Sequence, residues 1–135
     1  MKITKYLIPA LTAIFILIYA SGCGSSKSDI STDDPQKAYS MAKRKFDKKE
    51  YVDAIDDFSF IKIRFKGTAV SDKTQYYLAE SYFYQKEFLL AEYEYRSFLK
   101  EYSVSELVPN AKFMLANTYY ELSPKYSLDQ EYTQE

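Results

Sequence analysis

The sequence predicts an all-α chain: a solenoid of antiparallel helical hairpins behind an amino-terminal export leader. Three observations carry this expectation. Residues of like kind return after a shift of 37 along most of the chain. Within each unit, apolar residues recur at spacings of three and four, the helical period. Composition agrees: Gly is rare, at 3, and Pro at 4, among 135 residues rich in Ala, Leu, Glu, Lys and Tyr. Such a chain favours helices over many tight turns.

The first element is the leader, residues 1–22. Lys2 and Lys5 form a short basic start, and Leu7 to Tyr19 is an apolar run broken only by Pro9 and Thr12. A membrane-spanning helix needs about 20 residues, so this shorter run suits the apolar region of a secretory signal. Ala20, Ser21 and Gly22 follow, small enough to enter a signal-peptidase site, and then comes Cys23. Ala20-Ser21-Gly22-Cys23 resembles a lipobox, with Ala20 where Leu is commoner. Cys23 is thus the expected lipid-attachment residue, and the covalent lipid is the only non-protein group expected. Each buried methylene of an acyl chain contributes roughly 0.8 kcal/mol, so two or more chains hold a protein on a membrane it does not span. An ordinary signal peptide with a chance cysteine and an uncleaved anchor are the alternatives. Gly24 follows the cysteine, which leaves outer-membrane residence open. Residues 23–34 read as the lipidated Cys and a flexible tether: Gly24 to Asp34 is polar, rich in Ser and Asp, and without apolar period. It would reach about 35 Å.

The helical region begins at Asp34, placed to cap, with Pro35 in the first turn. Helices are expected at about 35–48, 51–66, 72–86, 88–102 and 108–122, forming repeats 35–67, 72–104 and an incomplete 108–135. In the first helix Ala38, Met41, Ala42 and Phe46 make one apolar stripe. Tyr51, Ala54, Ile55, Phe58, Ile61 and Phe65 make that of the second, beyond the polar turn Asp47-Lys48-Lys49-Glu50. Neither helix is stable alone, so the two pack as an antiparallel pair. Gly67 is expected to end the second helix, and Ser71 or Asp72 to cap the third. Ser103 and Ser105 punctuate the next gap, and Pro109 suits the first turn of the fifth helix.

The repeat register is explicit. Met41-Ala42 falls on Leu78-Ala79 and Leu115-Ala116. Phe46 falls on Phe83 and Tyr120, Lys49 on Lys86, Tyr51 on Phe88, Ala54 on Ala91, Phe58 on Tyr95 and Ile61 on Phe98. Ala42, Ala79 and Ala116 midway along each first helix, and Ala54 and Ala91 early in each second, let helices approach closely while aromatics fill the wedge. This placement resembles the tetratricopeptide repeat. Two departures mark a divergent form: Lys66 and Ser103 stand where Pro is usual, and the period exceeds the standard length of about 34.

A lipobox followed at once by long hairpins of this type resembles the BamD-type lipoproteins of outer-membrane-protein assembly. The likeness rests on Ala38-Tyr39 to Phe46, Tyr51-Val52-Asp53-Ala54-Ile55 to Phe58, and Ala79-Glu80-Ser81-Tyr82-Phe83 to Ala91. Ser123-Pro124-Lys125-Tyr126-Ser127-Leu128-Asp129-Gln130 looks like the connecting segment of Bacteroidota-type members. The resemblance implies a non-catalytic subunit facing the periplasm from the outer membrane. Its partners would be a BamA-like barrel subunit, other assembly lipoproteins and unfolded outer-membrane protein clients. Such proteins carry about five repeats, so this chain reads as an amino-terminal portion. The fifth helix would then leave Phe113, Leu115, Ala116 and Tyr119 uncovered, a cause of self-association.

In such an architecture the first helices line a groove. The groove positions are Tyr39, Lys43, Phe46 and Asp47 in the first repeat, Tyr76, Glu80, Phe83 and Tyr84 in the second, and Phe113, Asn117, Tyr120 and Glu121 in the third. Lys43, Glu80 and Asn117 occupy one position in turn, offering basic, acidic and amide contacts beside an aromatic floor. Aromatics give large contact areas at low entropic cost. The bland alternative is that the same aromatics only pack helix on helix, and that the charges are solvated surface.

Other functions find little support in the residues. There is no His and one Cys, which leaves no cysteine-based zinc site and no intrachain disulfide. No nucleophile sits beside a base. Asp56 and Asp57 are neighbours on a helix and point apart, so they form no carboxylate dyad. Loss of Lys2 and Lys5 with the leader takes the net charge from −1 to −3, and no broad basic surface for nucleic acid remains. A periplasmic tetratricopeptide scaffold lipoprotein of cell-envelope or division complexes is the competing reading. A solute-capturing or enzymatic lipoprotein is the third.

Overall fold

The structure, a computed structural model, describes residues 28–123. Within that span there are five helices and no strand: α1 (Pro35–Asp47), α2 (Tyr51–Arg64), α3 (Ser71–Tyr84), α4 (Phe88–Glu101) and α5 (Val108–Leu122). Each span lies within two residues of the one expected. The leader, Cys23 and the Pro124–Gln130 part of the connecting segment fall outside the described residues.

Each helix packs against the next. In addition α1 touches α3 and α3 touches α5, whereas the backbones of α2 and α4 stay apart. The first helices therefore line the inner side and the second helices splay on the outer wall, a tetratricopeptide-like arrangement. Across the gap between α2 and α4, Lys62 Nζ donates to Glu94 Oε2 at 2.6 Å, and Gln75 Nε2 of α3 donates to the same oxygen at 3.2 Å.

The core forms two connected clusters. Ala38, Ala42, Ala54, Phe58, Ile61 and Leu78 build the first, and Ala79, Ala91, Tyr95, Phe98 and Ala111 the second. Ala42, Ala54, Ala79 and Ala91 are fully buried, as close approach of the helices requires. Ala116, the third member of that series, is exposed. Among the described residues no following helix packs on that side of α5.

The hairpin turns repeat as the sequence does. Lys49 and Lys86, 37 apart, both take the left-handed conformation, with φ of 65° and 64°. At the first turn Glu50 N donates to Lys45 O at 3.0 Å and Lys49 N to Phe46 O at 2.9 Å; at the second, Glu87 N donates to Tyr82 O and Lys86 N to Phe83 O, both at 2.9 Å. These paired bonds satisfy carbonyls that the ends of α1 and α3 would otherwise leave free.

Three local expectations need correction. Asp34 caps α1 as expected, its Oδ1 accepting from Gln36 N and Lys37 N. Gly67, however, does not end α2, which stops at Arg64 with Phe65 as cap; Gly67, at φ 80°, turns the chain two residues later. Nor do Ser71 and Asp72 cap α3 with their side chains, because Val70 holds the cap position. Ser71 Oγ instead donates to Phe65 O at 3.1 Å and accepts from Thr68 N at 3.0 Å, and Asp72 Oδ2 accepts from Ser105 Oγ at 2.7 Å. Both side chains tie loops together.

The third correction concerns the tether. Residues 28–34 are seated on the first hairpin. Ile30 is buried in the first core cluster. Asp29 lies 3.8 Å from Lys45 in the last turn of α1, and Asp33 pairs with Arg64 in the last turn of α2. A single isoleucine within a polar run gave too little apolar period to be read as docked.

Candidate functional site

The inner face of the first two hairpins is an aromatic cluster. Phe46 points its ring at Tyr77 (centroids 5.1 Å apart), Tyr51 (5.5 Å) and Tyr84 (5.9 Å), all edge-on. Tyr51 and Tyr84 stack at 5.1 Å. Tyr39 lies between Phe58 and Tyr77, at 6.1 and 6.2 Å. Lys43 Nζ sits 4.8 Å above the Tyr77 ring and pairs with Asp47. The ammonium is thus drawn to a ring face and a carboxylate at once. Burial first, and then the neighbouring Tyr77, Asp47 and Asp72, push the Tyr39 phenol well above its ordinary pKa. It remains a neutral hydroxyl at any physiological pH.

The second repeat treats its expected groove residues differently. Phe83 is half-buried against Tyr84 and Phe88, and Tyr84 is 48% exposed. Tyr76 is buried among Tyr77, Tyr95 and Phe98. Glu80 is buried as well and accepts a hydrogen bond from Tyr95 Oη at 2.6 Å. Burial raises its pKa, and the Tyr95 and Tyr76 hydroxyls partly offset this. Tyr76 and Glu80 are therefore interior residues. Lys43, Glu80 and Asn117 do not form one row of surface contacts.

Repeat logic explains the difference. Lys43 and Phe58 are 15 residues apart, as are Glu80 and Tyr95. Phe58 has no hydroxyl in need of an acceptor, and Lys43 turns to the Tyr77 ring and Asp47 instead. Tyr95 is fully buried with a hydroxyl that needs an acceptor, and Glu80 supplies it. The joint change from Lys and Phe to Glu and Tyr was the signal in the sequence.

On α5, Phe113 is 65% and Tyr120 80% exposed. Asn117 is half-buried, its amide nitrogen 3.8 Å from the Met114 sulfur. Glu121 is exposed and shares a shallow hollow of about 370 Å³ with Phe83, Tyr84, Lys86 and Phe88. The fold thus brings Tyr39, Lys43, Phe46, Asp47 and Tyr84 into one cluster, and Phe83, Tyr84 and Glu121 into the adjoining hollow.

Sequence reasoning missed Tyr77, which is central to the cluster. Its repeat equivalents are Ser40 and Met114, so no periodic signal marked it. It also missed the pair of Lys45 with Asp57, whose Nζ and Oδ2 are 2.8 Å apart with Asp57 fully buried. Burial pulls the Lys45 pKa down, but the hydrogen bond and charge of Asp57 more than offset this and leave it raised.

Chemically this surface offers ring faces and edges with one ammonium and a few carboxylates. No cluster of acidic or cysteine side chains suited to a metal ion occurs among the described residues. Such a surface is suited to apolar contact supplemented by isolated polar pairs. A search of curated proteins finds no match. Residues 31–135 match YfiO, described as an outer membrane lipoprotein. The matched span takes in all five helices and most of the chain, and the chain therefore belongs to the YfiO family of outer membrane lipoproteins, the BamD type.

Proposed function

We propose that this outer-membrane lipoprotein is a non-catalytic subunit of the β-barrel assembly machinery, anchored through a lipid on Cys23 with its hairpins in the periplasm. The observation that carries the reading is the family match over residues 31–135, which spans the whole helical region. Among the described residues no helix is long and apolar enough to cross a membrane, in keeping with attachment by lipid. The inner face would hold client chains through Tyr84, Phe113 and Tyr120, its most exposed aromatics, with Lys43, Asp47, Asn117 and Glu121 as polar contacts. Unfolded barrel strands present alternating aromatic side chains and a polar backbone, which such a face complements. Partner subunits, a BamA-like barrel protein and other assembly lipoproteins, complete the proposal.

The test is a pull-down from detergent-solubilised envelopes, using the full gene product with a carboxy-terminal tag. Stoichiometric co-purification of a large β-barrel protein with periplasmic domains supports the assembly reading. Capture of peptidoglycan-associated or division proteins without a barrel overturns it in favour of an envelope scaffold. A Tyr84→Ala, Phe113→Ala and Tyr120→Ala triple variant is expected to lose about tenfold or more of its crosslinking to client chains, each aromatic contributing on the order of 1 kcal/mol. It should keep its barrel partner.

A further inference from the structure

The docked residues 28–34 run the full length of the first hairpin. Asp29 lies beside Lys45 in the last turn of α1, and Asp33 beside Arg64 in the last turn of α2. The two helices are antiparallel, so these turns mark opposite ends. The segment thus starts at the edge carrying the Lys48-Lys49 turn and ends where α1 begins. Ile30 fixes it by entering the core formed by Ala38, Ala42 and Phe58. In the second repeat α2 packs on the corresponding side of the hairpin. There its Lys62 supplies the cation for buried Glu94. Among the described residues no helix precedes the first repeat. Lys45 of its own α1 serves Asp57, the equivalent of Glu94, and the docked segment covers the face.

Docking shortens the link to the membrane. Cys23 precedes Ser28 by five residues and Asp34 by eleven. At about 3.5 Å per residue, the chain between Cys23 and the first hairpin reaches at most about 18 Å with the segment docked and about 38 Å with it released. The docked link also leaves from one particular edge. The other end of α2, near Lys66, lies about 21 Å further away, the length of a 14-residue helix.

We propose that the strap formed by residues 28–34 holds the Lys48-Lys49 edge of the first hairpin against the phospholipid leaflet and keeps the opposite edge, at Lys66, turned away from it. The proposal rests on the lipid-anchor reading of Cys23. The occupant of this edge is the leaflet because the lipid-bearing end of the chain is confined within about 18 Å of it. The strap is a positioning device: it gives the anchored chain a defined orientation and presents the inner face at a set height.

The experiment uses the full lipoprotein in vesicles of phosphatidylethanolamine and phosphatidylglycerol. A donor fluorophore is placed at Lys48→Cys or Lys66→Cys, with acceptor-labelled headgroups. In the otherwise unaltered protein the label at 48 should transfer more strongly than that at 66. Ile30→Asp should abolish the difference and lower transfer at 48. A six-residue Gly-Ser insertion after Ser26, which leaves every described contact intact, should lower transfer at 48 in the same direction. Equal transfer from 48 and 66 in the unaltered protein overturns the strap proposal, as does an unchanged pattern in both altered proteins. A Cys23→Ala variant produced without residues 1–22 separates the two readings. If that variant stays on the vesicles, the lipid anchor is wrong. If it is released while Ile30→Asp and the insertion leave the pattern untouched, the anchor stands and the strap fails.

Discussion

At the scale of single residues, Glu80 and Tyr95 are a buried pair that the repeat has substituted together, standing where the first repeat has Lys43 and Phe58. Glu80 is the instructive one. Its carboxyl is interior, takes the Tyr95 hydroxyl at 2.6 Å, and has a pKa raised by burial. A raised folded pKa means that the folded state holds the proton more tightly than the unfolded chain. The associated stability is then fully present below the ordinary carboxylate pKa and is lost as pH rises through the folded value. An amide in its place does not titrate and carries no such dependence on pH. The difference in unfolding free energy between the parent and Glu80→Gln should therefore shift in the parent's favour as pH falls from 7 to 4.5. Asp56, also raised by burial and by Asp53 and Asp57, is common to both proteins and cancels in the difference. Urea titrations of the two proteins at each pH measure it, and a pH-independent difference would refute the buried, ionisable role of Glu80.

At the scale of elements, the turns decide where helices stop. Lys49 and Lys86 hold φ near +65° in equivalent turns, a conformation that costs an L-residue roughly 1–2 kcal/mol. Glycine adopts it freely but is more mobile when unfolded. Lys49→Gly and Lys86→Gly are each expected to stabilise the chain by about 0.5–1 kcal/mol. Gly67→Ala should do the reverse by about 1 kcal/mol. At Gly67 a methyl group meets nothing within 4 Å, so the loss there is purely one of backbone conformation. Thermal melts of the three variants check both signs. These turns also mark the limit of what could be read in advance. Apolar period and the Asp34-Pro35 start located the helices, because both act within a few residues. Ser71 and Asp72 looked like caps because their chemistry suits one. They went instead to Phe65, Thr68 and Ser105, partners set by how the loops meet in space.

At the scale of the whole molecule, the same division between local and spatial information holds. The solenoid was legible because one stripe, repeated after 37 residues, dictates both the pairing within a hairpin and the stacking between hairpins. The inner face was legible only in outline. Position along a first helix says that a residue faces inward, but not whether the next repeat covers it. Tyr76 and Glu80 are covered, whereas Tyr84, Phe113 and Tyr120 are not. Ile30, alone in a polar run, gave no period at all. The exposed side of α5 has a consequence in solution. Phe113, Ala116 and Tyr120 lie on a helix that packs only against α3 and α4 among the described helices. Apolar area left in water favours association by roughly 25 cal/mol per Å² covered. A protein consisting of residues 23–135, made without lipid, should therefore self-associate reversibly at micromolar concentration. A Phe113→Glu and Tyr120→Glu double variant should sediment as a monomer over the same range with an unchanged helical circular-dichroism signal. Sedimentation velocity across a concentration series reads this directly. If parent and variant sediment alike as monomers, the exposed face of α5 does not drive contact between chains.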